Sequence, residues 1–121
     1  MATLIKFESC AAEYQALSEL NLHSFLIGNH AHSTFFAKAT GHGLVSRGIH
    51  DGDLLVVDRS LVAKDGDIVL ASIDGEYCAR VYLAQKHMLI SDDQAPILIG
   101  NENDIQAVIP YSVRGHRSLR L

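Results

Sequence analysis

A regular series of short apolar runs, each ended by turn-forming residues, is the feature that most constrains how this chain folds. From residue 34 onward the runs are four to seven residues long and rich in β-branched and aromatic side chains, which is typical of strands. Near-regular spacing of such runs predicts a sheet-rich barrel or sandwich and not an alternation of strands and helices. The predicted strands are Thr34–Ala39, Leu54–Val57, Ile68–Ile73, Tyr77–Leu83, His87–Ile90, Pro96–Ile99 and Ile105–Ile109.

The clearest turn signal is the dipeptide Asp74-Gly75, which separates two of these runs. A two-residue type I′ turn needs positive φ at both central residues, and Asp-Gly is a preferred pair for it. A second informative run is Leu54–Val57, which is apolar throughout and flanked by Asp53 and Asp58. A continuous apolar run of this length is typical of a strand that is buried on both faces.

The two ends of the chain carry weaker patterns. The first nine residues show no periodicity, and Ala11–Leu20 fits a short helix. A second apolar piece, Ser24–Ile27, ends at Gly28-Asn29. At the other end, residues 114–120 are basic and are expected to fray. A chain of 121 residues is then interpreted as a short tail, residues 1–10, and a single domain, residues 11–121.

Composition excludes several classes of function. The formal net charge is −4, from 10 basic and 14 acidic residues, which argues against the clustered Lys and Arg that tight duplex binding needs. No apolar run approaches the roughly 20 residues of a membrane helix, and the N-terminus lacks a signal-peptide layout. Cys10 and Cys78 form neither a disulfide framework nor a zinc-ligand pattern. We therefore expect a cytoplasmic protein without membrane or sequence-specific nucleic-acid contacts.

Several side chains are of types that bind metal ions, but the neighbouring sequence does not support a binding site. The histidines at 30, 32, 42 and 50 have no Cys or carboxylate partner at ligand spacing, and Asp51-Gly52-Asp53 lacks the oxygen pattern of a calcium loop. We predict no metal and no cofactor, with Asp51-Gly52-Asp53 and Gly66-Asp67 acting as turn formers. Cys78 is expected to be structural and half-buried. Four aromatic residues are interpreted as core or dimer contacts and not as a base-stacking platform: Phe35, Phe36, Tyr77 and Tyr82.

Three blocks in the middle of the chain resemble the LexA/UmuD family of self-cleaving serine peptidases. The blocks are Gly48–Asp58, Gly66–Ala71 and Asp74–Tyr77, in the family's order, and the resemblance extends over residues 11–108. It is strongest to the UmuD branch, because Ala11–Tyr14 and Leu22–Ile27 are similar to the UmuD segment that follows the cleavage site. The resemblance implies the mainly β, compact fold of the LexA/UmuD C-terminal domain, with a short N-terminal helix.

The resemblance also implies partners and a role. UmuD, in its processed form, is a subunit of DNA polymerase V. A similar protein is expected to form a homodimer, to bind a UmuC-like Y-family translesion polymerase, and to contact the RecA filament. Its setting would be the SOS response, DNA repair and mutagenesis. The chain has ten residues before Ala11 and no Cys-Gly bond among them, so it is expected to start about where processed UmuD starts.

The catalytic positions of the family differ in this chain. The family's nucleophile is the serine of a Gly-Asp-Ser-Met motif, and here Gly43 holds that place within Gly41-His42-Gly43-Leu44. The family's general base is a lysine on the strand after the hairpin, and here that residue is Arg80. A Ser–Lys dyad needs an attacking oxygen and a neutral amine, and a guanidinium stays protonated in proteins. We predict a pseudo-protease with no catalytic residue, whose degenerate dyad positions Gly43 and Arg80 lie side by side.

Two alternative functions remain open from the sequence. Ser46 could replace the missing nucleophile and give an active self-cleaving peptidase, although a shift of three positions would re-aim the hydroxyl well beyond what attack tolerates. A catalytically dead chain could also act as a regulatory decoy that forms mixed dimers with active LexA- or UmuD-type proteins.

Two further departures concern the region that UmuD-like proteins use for pairing. Pro110 has no N–H to donate, so the last strand is predicted to end early or to lie at a sheet edge. The loop Ser91–Ala95 is shorter than in the UmuD branch. The dimer geometry is therefore not fixed by the resemblance.

Overall fold

The fold was obtained as a computed structural model that describes residues 3–6, 13–16, 22–100 and 104–117. Nine strands, one α-helix and two short 3-10 helices lie within these ranges. The strands are β1 (Thr3–Lys6), β2 (Glu13–Ala16), β3 (Thr34–Lys38), β4 (Leu54–Asp58), β5 (Ile68–Ile73), β6 (Glu76–Leu83), β7 (Met88–Ile90), β8 (Ile97–Leu98) and β9 (Ile105–Val113). The helix is α1 (Leu22–Leu26), and the 3-10 helices are Gly28–Ser33 and Val45–Arg47.

Seven of the strands form one antiparallel sheet in the order β3-β4-β9-β5-β6-β7-β8. Strands β1 and β2 pair separately as a two-stranded sheet. The mainly β fold expected from the spacing of the apolar runs is confirmed, and every predicted strand from residue 34 onward is present. None of the helices in the described ranges has the length and apolar character needed to span a bilayer.

The sheet is packed on both faces, because neighbouring residues on the same strand belong to different core clusters. Val81 belongs to one cluster and Tyr82 to the other. Val56 and Val57 are both almost fully buried, which confirms the prediction that this run is covered on both faces. The first cluster comprises Leu44, Ile49, Leu55, Val57, Val81, Ala107 and Ile109, and the second comprises Val69, Ala71, Tyr82, Leu89 and Val108.

The predicted Asp74-Gly75 hairpin is confirmed. Asp74 has φ of 51° and Gly75 has φ of 81°, so both central residues adopt the positive φ that a type I′ turn requires. Ile73 pairs with Glu76 across the two-residue loop. Local turn chemistry therefore sets the register of β5 against β6.

The prediction of a helix over Ala11–Leu20 is wrong. Residues Glu13–Ala16 form strand β2, which pairs with β1 in a segment where the sequence showed no pattern. A ten-residue helix without a sustained apolar face has little packing to stabilise it, whereas pairing with β1 satisfies the backbone directly. The short helix of this region is α1, further along the chain. The rest of the predicted helix lies outside the described residues.

The prediction that the last strand ends early at Pro110 or lies at a sheet edge is also wrong. Strand β9 continues to Val113 and lies between β4 and β5. Its pairing with β5 stops at Val108, and its pairing with β4 is irregular between Val108 and Tyr111. Pro110 falls within that irregular stretch, where no ladder hydrogen bond is needed from its nitrogen.

The basic C-terminal segment does not fray at its start. The Nε atom of Arg114 lies 3.2 Å from Oδ1 of the buried Asp53, and its Nη2 donates to the Gly48 carbonyl at 3.0 Å. A buried carboxylate needs a charged or hydrogen-bonded partner, and Arg114 supplies it. Residues 118–120 of this prediction lie outside the described residues.

The aromatic residues and Cys78 divide between interior and surface. Tyr82 is buried and Phe35 packs against the first core cluster, as predicted. Phe36 and Tyr77 are instead exposed, so they are not core residues. Cys78 is free and half-buried, as expected.

Candidate degenerate active site

Gly43 sits on a loop that the hydrophobic core holds in place. The next residue, Leu44, is buried in the first core cluster, and its carbonyl accepts hydrogen bonds from the amides of Arg47 and Ile49. The turn that follows closes at Gly48, whose φ of 85° suits glycine. The backbone at Gly43 is therefore fixed by packing on its C-terminal side.

A second loop, Ser91–Gln94, lies directly over Gly43. The amide of Asp92 donates to the Gly43 carbonyl at 2.7 Å. A Cβ atom placed on Gly43 would lie 3.0 Å from Asp93 Oδ1 and 3.6 Å from the Cβ of Ser91. The Asp93 carboxylate, which also accepts a hydrogen bond from the Ser91 hydroxyl at 3.2 Å, thus crowds the position where a serine side chain would begin.

Arg80 contacts the same loop from strand β6. Its Nη2 donates to Gln94 Oε1 at 3.0 Å, and its Nη1 donates to the carbonyl of Ala79 at 2.8 Å. The Ser91–Gln94 loop therefore contacts both of the predicted dyad positions. A direct contact between Gly43 and Arg80 remains a prediction, whereas their common contact with this loop is an observation.

Ser46, the candidate displaced nucleophile, is held by Asp92. The Ser46 hydroxyl donates to Asp92 Oδ1 at 2.5 Å, and the Ser46 amide donates to Asp92 Oδ2 at 2.7 Å. The two hydrogen bonds from Ser46, hydroxyl first and amide second, lower the pKa of Asp92, with a smaller contribution from the charge of Arg47. A carboxylate with a lowered pKa is a weak base, so this arrangement does not activate the hydroxyl.

A buried carboxylate that sequence reasoning did not single out lies at the end of β4. Asp58 Oδ1 accepts hydrogen bonds from the Ser33 hydroxyl at 3.0 Å, the Ser60 hydroxyl at 2.7 Å and the Ser60 amide at 2.8 Å. Burial alone would raise the pKa of Asp58, but the bonds from Ser60 and Ser33 and the nearby His30 together lower it. The Asp-x-Ser spacing, typical of a side-chain turn, could have revealed this cluster.

The Asp58 cluster does not form a proton relay. His30 Nδ1 lies 3.1 Å from Asp58 Oδ2 and 2.8 Å from Ser60 Oγ, so both contacts use the same ring nitrogen. A Ser-His-Asp relay needs the two contacts on opposite ring nitrogens. The cluster therefore ties the segment before β3 to the end of β4.

The remaining polar candidates are dispersed. The Asp51 carboxylate accepts a hydrogen bond from the Gly41 amide, and Asp53 accepts one from the His50 amide. Both acidic residues line a cleft of about 330 Å³ together with Arg114 and Arg117, which balance their charge. Within the described ranges, no three His, Cys, Asp or Glu side chains are grouped in a way that could hold a metal ion.

The fold and the site region together identify the class of protein. The sequence profile of the Peptidase S24-like family matches residues 5–109. This match covers the sheet as far as Ile109 on β9, the Gly43 loop and Arg80, and the chain belongs to that family.

Relatives within the family lie on its UmuD-like side. The chain is 46% identical to Protein ImpA of Salmonella typhimurium over 74 residues, which is 61% of this chain and 50% of ImpA. It is 35% identical to Protein MucA of Salmonella typhimurium over 116 residues, covering 91% of this chain and 78% of MucA. It is 37% identical to Protein SamA of Salmonella typhimurium strain LT2 over 114 residues, covering 93% of this chain and 80% of SamA.

These matches confirm the expected membership of the LexA/UmuD family and its UmuD-like, SOS-mutagenesis side. The match to ImpA spans only half of that relative's length.

Proposed function

We propose that this chain is a non-catalytic UmuD-like accessory subunit that binds a Y-family translesion DNA polymerase in the SOS response. It acts as a homodimer and also contacts the RecA filament. The observation that carries the proposal is the pair of residues at the family's catalytic positions, Gly43 and Arg80. A family member that keeps the fold but lacks the catalytic dyad acts by binding a partner protein.

Both halves of the peptidase chemistry are missing. Gly43 has no side-chain oxygen to attack a peptide carbonyl. Arg80 is a permanent cation whose guanidinium already donates to Gln94 and Ala79, and it has no lone pair with which to accept a proton. Loss of either partner is enough to stop dyad chemistry, and here both the nucleophile and the base are replaced.

The contacts of Ser46 argue against a displaced nucleophile. Its hydroxyl hydrogen is directed to the Asp92 carboxylate, whose lowered pKa makes it a poor proton acceptor. Serine peptidases use a histidine or a neutral lysine for this step. Ser46 is better explained as the group that anchors the Ser91–Gln94 loop.

The charge of the chain supports action through a protein partner. With a net charge of −4, the chain lacks the electrostatic attraction that drives direct phosphate contacts. A role on DNA is then exerted through a polymerase or a RecA filament that binds the nucleic acid itself.

Co-expression with a UmuC-like polymerase tests the proposal. We expect a complex that co-purifies by affinity and elutes as one species from a sizing column. A LexA C-terminal domain of the same fold, expressed with the same polymerase, serves as the negative control. Clean separation of the chain from the polymerase overturns the proposal. Co-purification with an active UmuD-type protein instead of the polymerase supports the decoy function in its place.

The proposed lack of peptidase activity is tested by a separate experiment. The purified chain is incubated with RecA, single-stranded DNA and nucleotide, and mass spectrometry follows its length. We expect no cut, and any discrete cleavage product contradicts the loss of peptidase activity.

A further inference from the structure

Within the described residues, strand β3 is paired with a neighbouring strand on one side only. The amide of Arg59 donates to the Ser33 carbonyl, and the amide of Ala39 donates to the Asp53 carbonyl. With the β3–β4 register, these bonds show that the odd-numbered residues of β3 exchange hydrogen bonds with β4. The N–H and C=O groups of Thr34, Phe36 and Lys38 therefore point away from β4, and no described residue bonds to them.

An apolar row runs up to this free edge. Phe36 pairs with Val56 on β4, and Val56 pairs with Tyr111 on β9, so the three side chains lie on one face. Val56 is buried between the two aromatic residues, while Phe36 is 54% exposed and Tyr111 is 42% exposed. The exposed surface of the row thus increases toward the edge of the sheet.

The two edges of the sheet are protected to different degrees. Monomeric proteins protect edges with short strands, charges, prolines or bulges. Strand β8, at the far edge, has only two residues. Strand β3 has five residues with an aromatic at its centre, and its one charged residue, Lys38, lies at its end. The β3 edge is therefore suited to pairing.

We propose that a second copy of this chain pairs with β3 through its own β3, in antiparallel orientation, with Phe36 opposite Phe36 on the two-fold axis. This inference rests on the homodimer of the proposed function. It places the interface at β3, and not at the last strand and the Ser91–Ala95 loop that the resemblance to the UmuD branch implies. In this register the outward groups of Phe36 bond to each other, and those of Thr34 bond to those of Lys38. No like charges are opposed, since each Lys38 faces a Thr34.

Self-complementarity favours a second copy over an unrelated peptide. A two-fold interface requires the same patch to match itself, and a five-residue strand centred on Phe36 meets that condition. The pairing also places the two apolar rows end to end, so that Phe36, Val56 and Tyr111 of each copy form one continuous strip. Both exposed Phe36 side chains would then be covered.

A charge-reversal comparison tests the interface. Phe36→Glu places two carboxylates opposite each other at the two-fold axis, and Tyr77→Glu places the same charge at an exposed position on β6. Light scattering on a sizing column gives the mass of the full chain. We expect dimers for the unmodified chain and for Tyr77→Glu, and monomers for Phe36→Glu at the same concentration.

A crosslinking experiment gives a second readout that does not depend on the folding of Phe36→Glu. Phe36→Cys is made with Cys10→Ser and Cys78→Ser, and Tyr77→Cys in the same background is the control. Hydrogen-bonded antiparallel pairs have Cα atoms about 5.5 Å apart, which a disulfide can span. We expect oxidation to crosslink Phe36→Cys into dimers and to leave Tyr77→Cys largely uncrosslinked.

The outcomes separate the two levels of the proposal. A dimer that survives Phe36→Glu and is not crosslinked through position 36 overturns the β3 interface and leaves the polymerase-binding function standing. A chain that is monomeric at all concentrations overturns both the interface and the homodimer. Loss of polymerase co-purification with an intact, crosslinkable dimer overturns the proposed function alone.

Discussion

At the scale of single residues, the Asp93 carboxylate lies where a side chain at position 43 would begin. Gly43 does not have the positive φ that requires glycine, so its backbone tolerates a side chain. The obstacle is the Asp93 carboxylate, 3.0 Å from where a Cβ would stand. Glycine at position 43 thus fits the space that the Ser91–Gln94 loop leaves above it.

A double-mutant cycle measures this match. Gly43→Ala is expected to lower the free energy of unfolding by about 1 kcal/mol, because Asp93 must move and weaken its contact with Ser91. In an Asp93→Ala background the same substitution should cost close to nothing. Urea unfolding of the four proteins gives the coupling. Equal costs in both backgrounds would show that Asp93 is not the obstacle.

The Asp58 cluster makes a pH-dependent contribution to stability. The pKa of Asp58 is lowered in the folded state from an ordinary value of 3.8, so its stabilisation is present above pH 3.8 and is lost as the pH falls through the folded-state pKa. Ser60→Ala removes the hydroxyl that contributes most to this lowering. We expect it to cost about 1.5 kcal/mol at pH 7 and progressively less below pH 3.8.

The matched control is Ser72→Ala on β5. Ser72 is half-buried and bonds to no carboxylate in the described part of the chain, so its cost should not vary with pH. Urea unfolding curves at pH 7, 5 and 3.5 provide the comparison. A Ser60→Ala cost that stays constant over this range would mean that the Ser60 hydroxyl does not lower the pKa of Asp58.

At the scale of secondary-structure elements, the β5–β6 hairpin depends on its turn. Gly75→Val puts a β-branched residue at φ of 81°, and we expect a loss of about 1–2 kcal/mol. Gly100→Val is the control, because Gly100 has no positive φ and a Cβ there meets nothing within 4 Å. Thermal unfolding monitors both variants. An unchanged melting temperature for Gly75→Val would count against the observed turn.

The elements that the sequence predicted are those determined by local chemistry. Asp74-Gly75 encodes its turn within two residues, and Leu54–Val57 encodes double-sided burial in its composition. The continuation of β9 through Pro110 was not predictable, because it depends on an irregularity in pairing with β4, some fifty residues earlier. Strand β2 was missed because its stability comes from pairing with β1, and neither strand shows clear alternation.

The candidate site follows the same division. Motif spacing alone predicts Gly43 and Arg80 at the family's catalytic positions. The loop Ser91–Gln94, which contacts both of them, could not be predicted, since only the folded sheet brings residues 91–94 over residue 43. Likewise, Ser46 could be identified as a candidate nucleophile. Its hydrogen bond to Asp92 could not be predicted, because the two residues are far apart in the sequence and meet only in the folded chain.

At the scale of the whole molecule, restoring peptidase activity requires more than the dyad. Gly43→Ser with Arg80→Lys supplies an oxygen and a base whose pKa burial can lower. Asp93 would still place a negative charge beside the oxygen that attacks, which opposes the developing oxyanion. We expect cleavage of an added UmuD-type arm in trans to be faster in the triple variant with Asp93→Ala than in the double variant, and to rise with pH.

Each single variant provides a control for this prediction. Serine beside arginine has no base, and lysine beside glycine has no nucleophile, so neither should cut the arm. The assay is separation of arm fragments by mass spectrometry. Cutting by either single variant would show that positions 43 and 80 are not the catalytic pair. A double variant as fast as the triple variant would show that Asp93 does not oppose catalysis.

The central place of β9 has a consequence for how the chain folds. In the described sheet, β9 alone joins β3–β4 to the β5–β8 side, and its pairing with β4 closes a loop from residues 54–58 to 108–113. Contacts so distant in sequence form slowly, because the entropy of closing the loop is lost before they are made. The amide hydrogens of β4, β5 and β9 should therefore exchange with deuterium together, at the rate of global unfolding, while those of the β7–β8 edge exchange earlier.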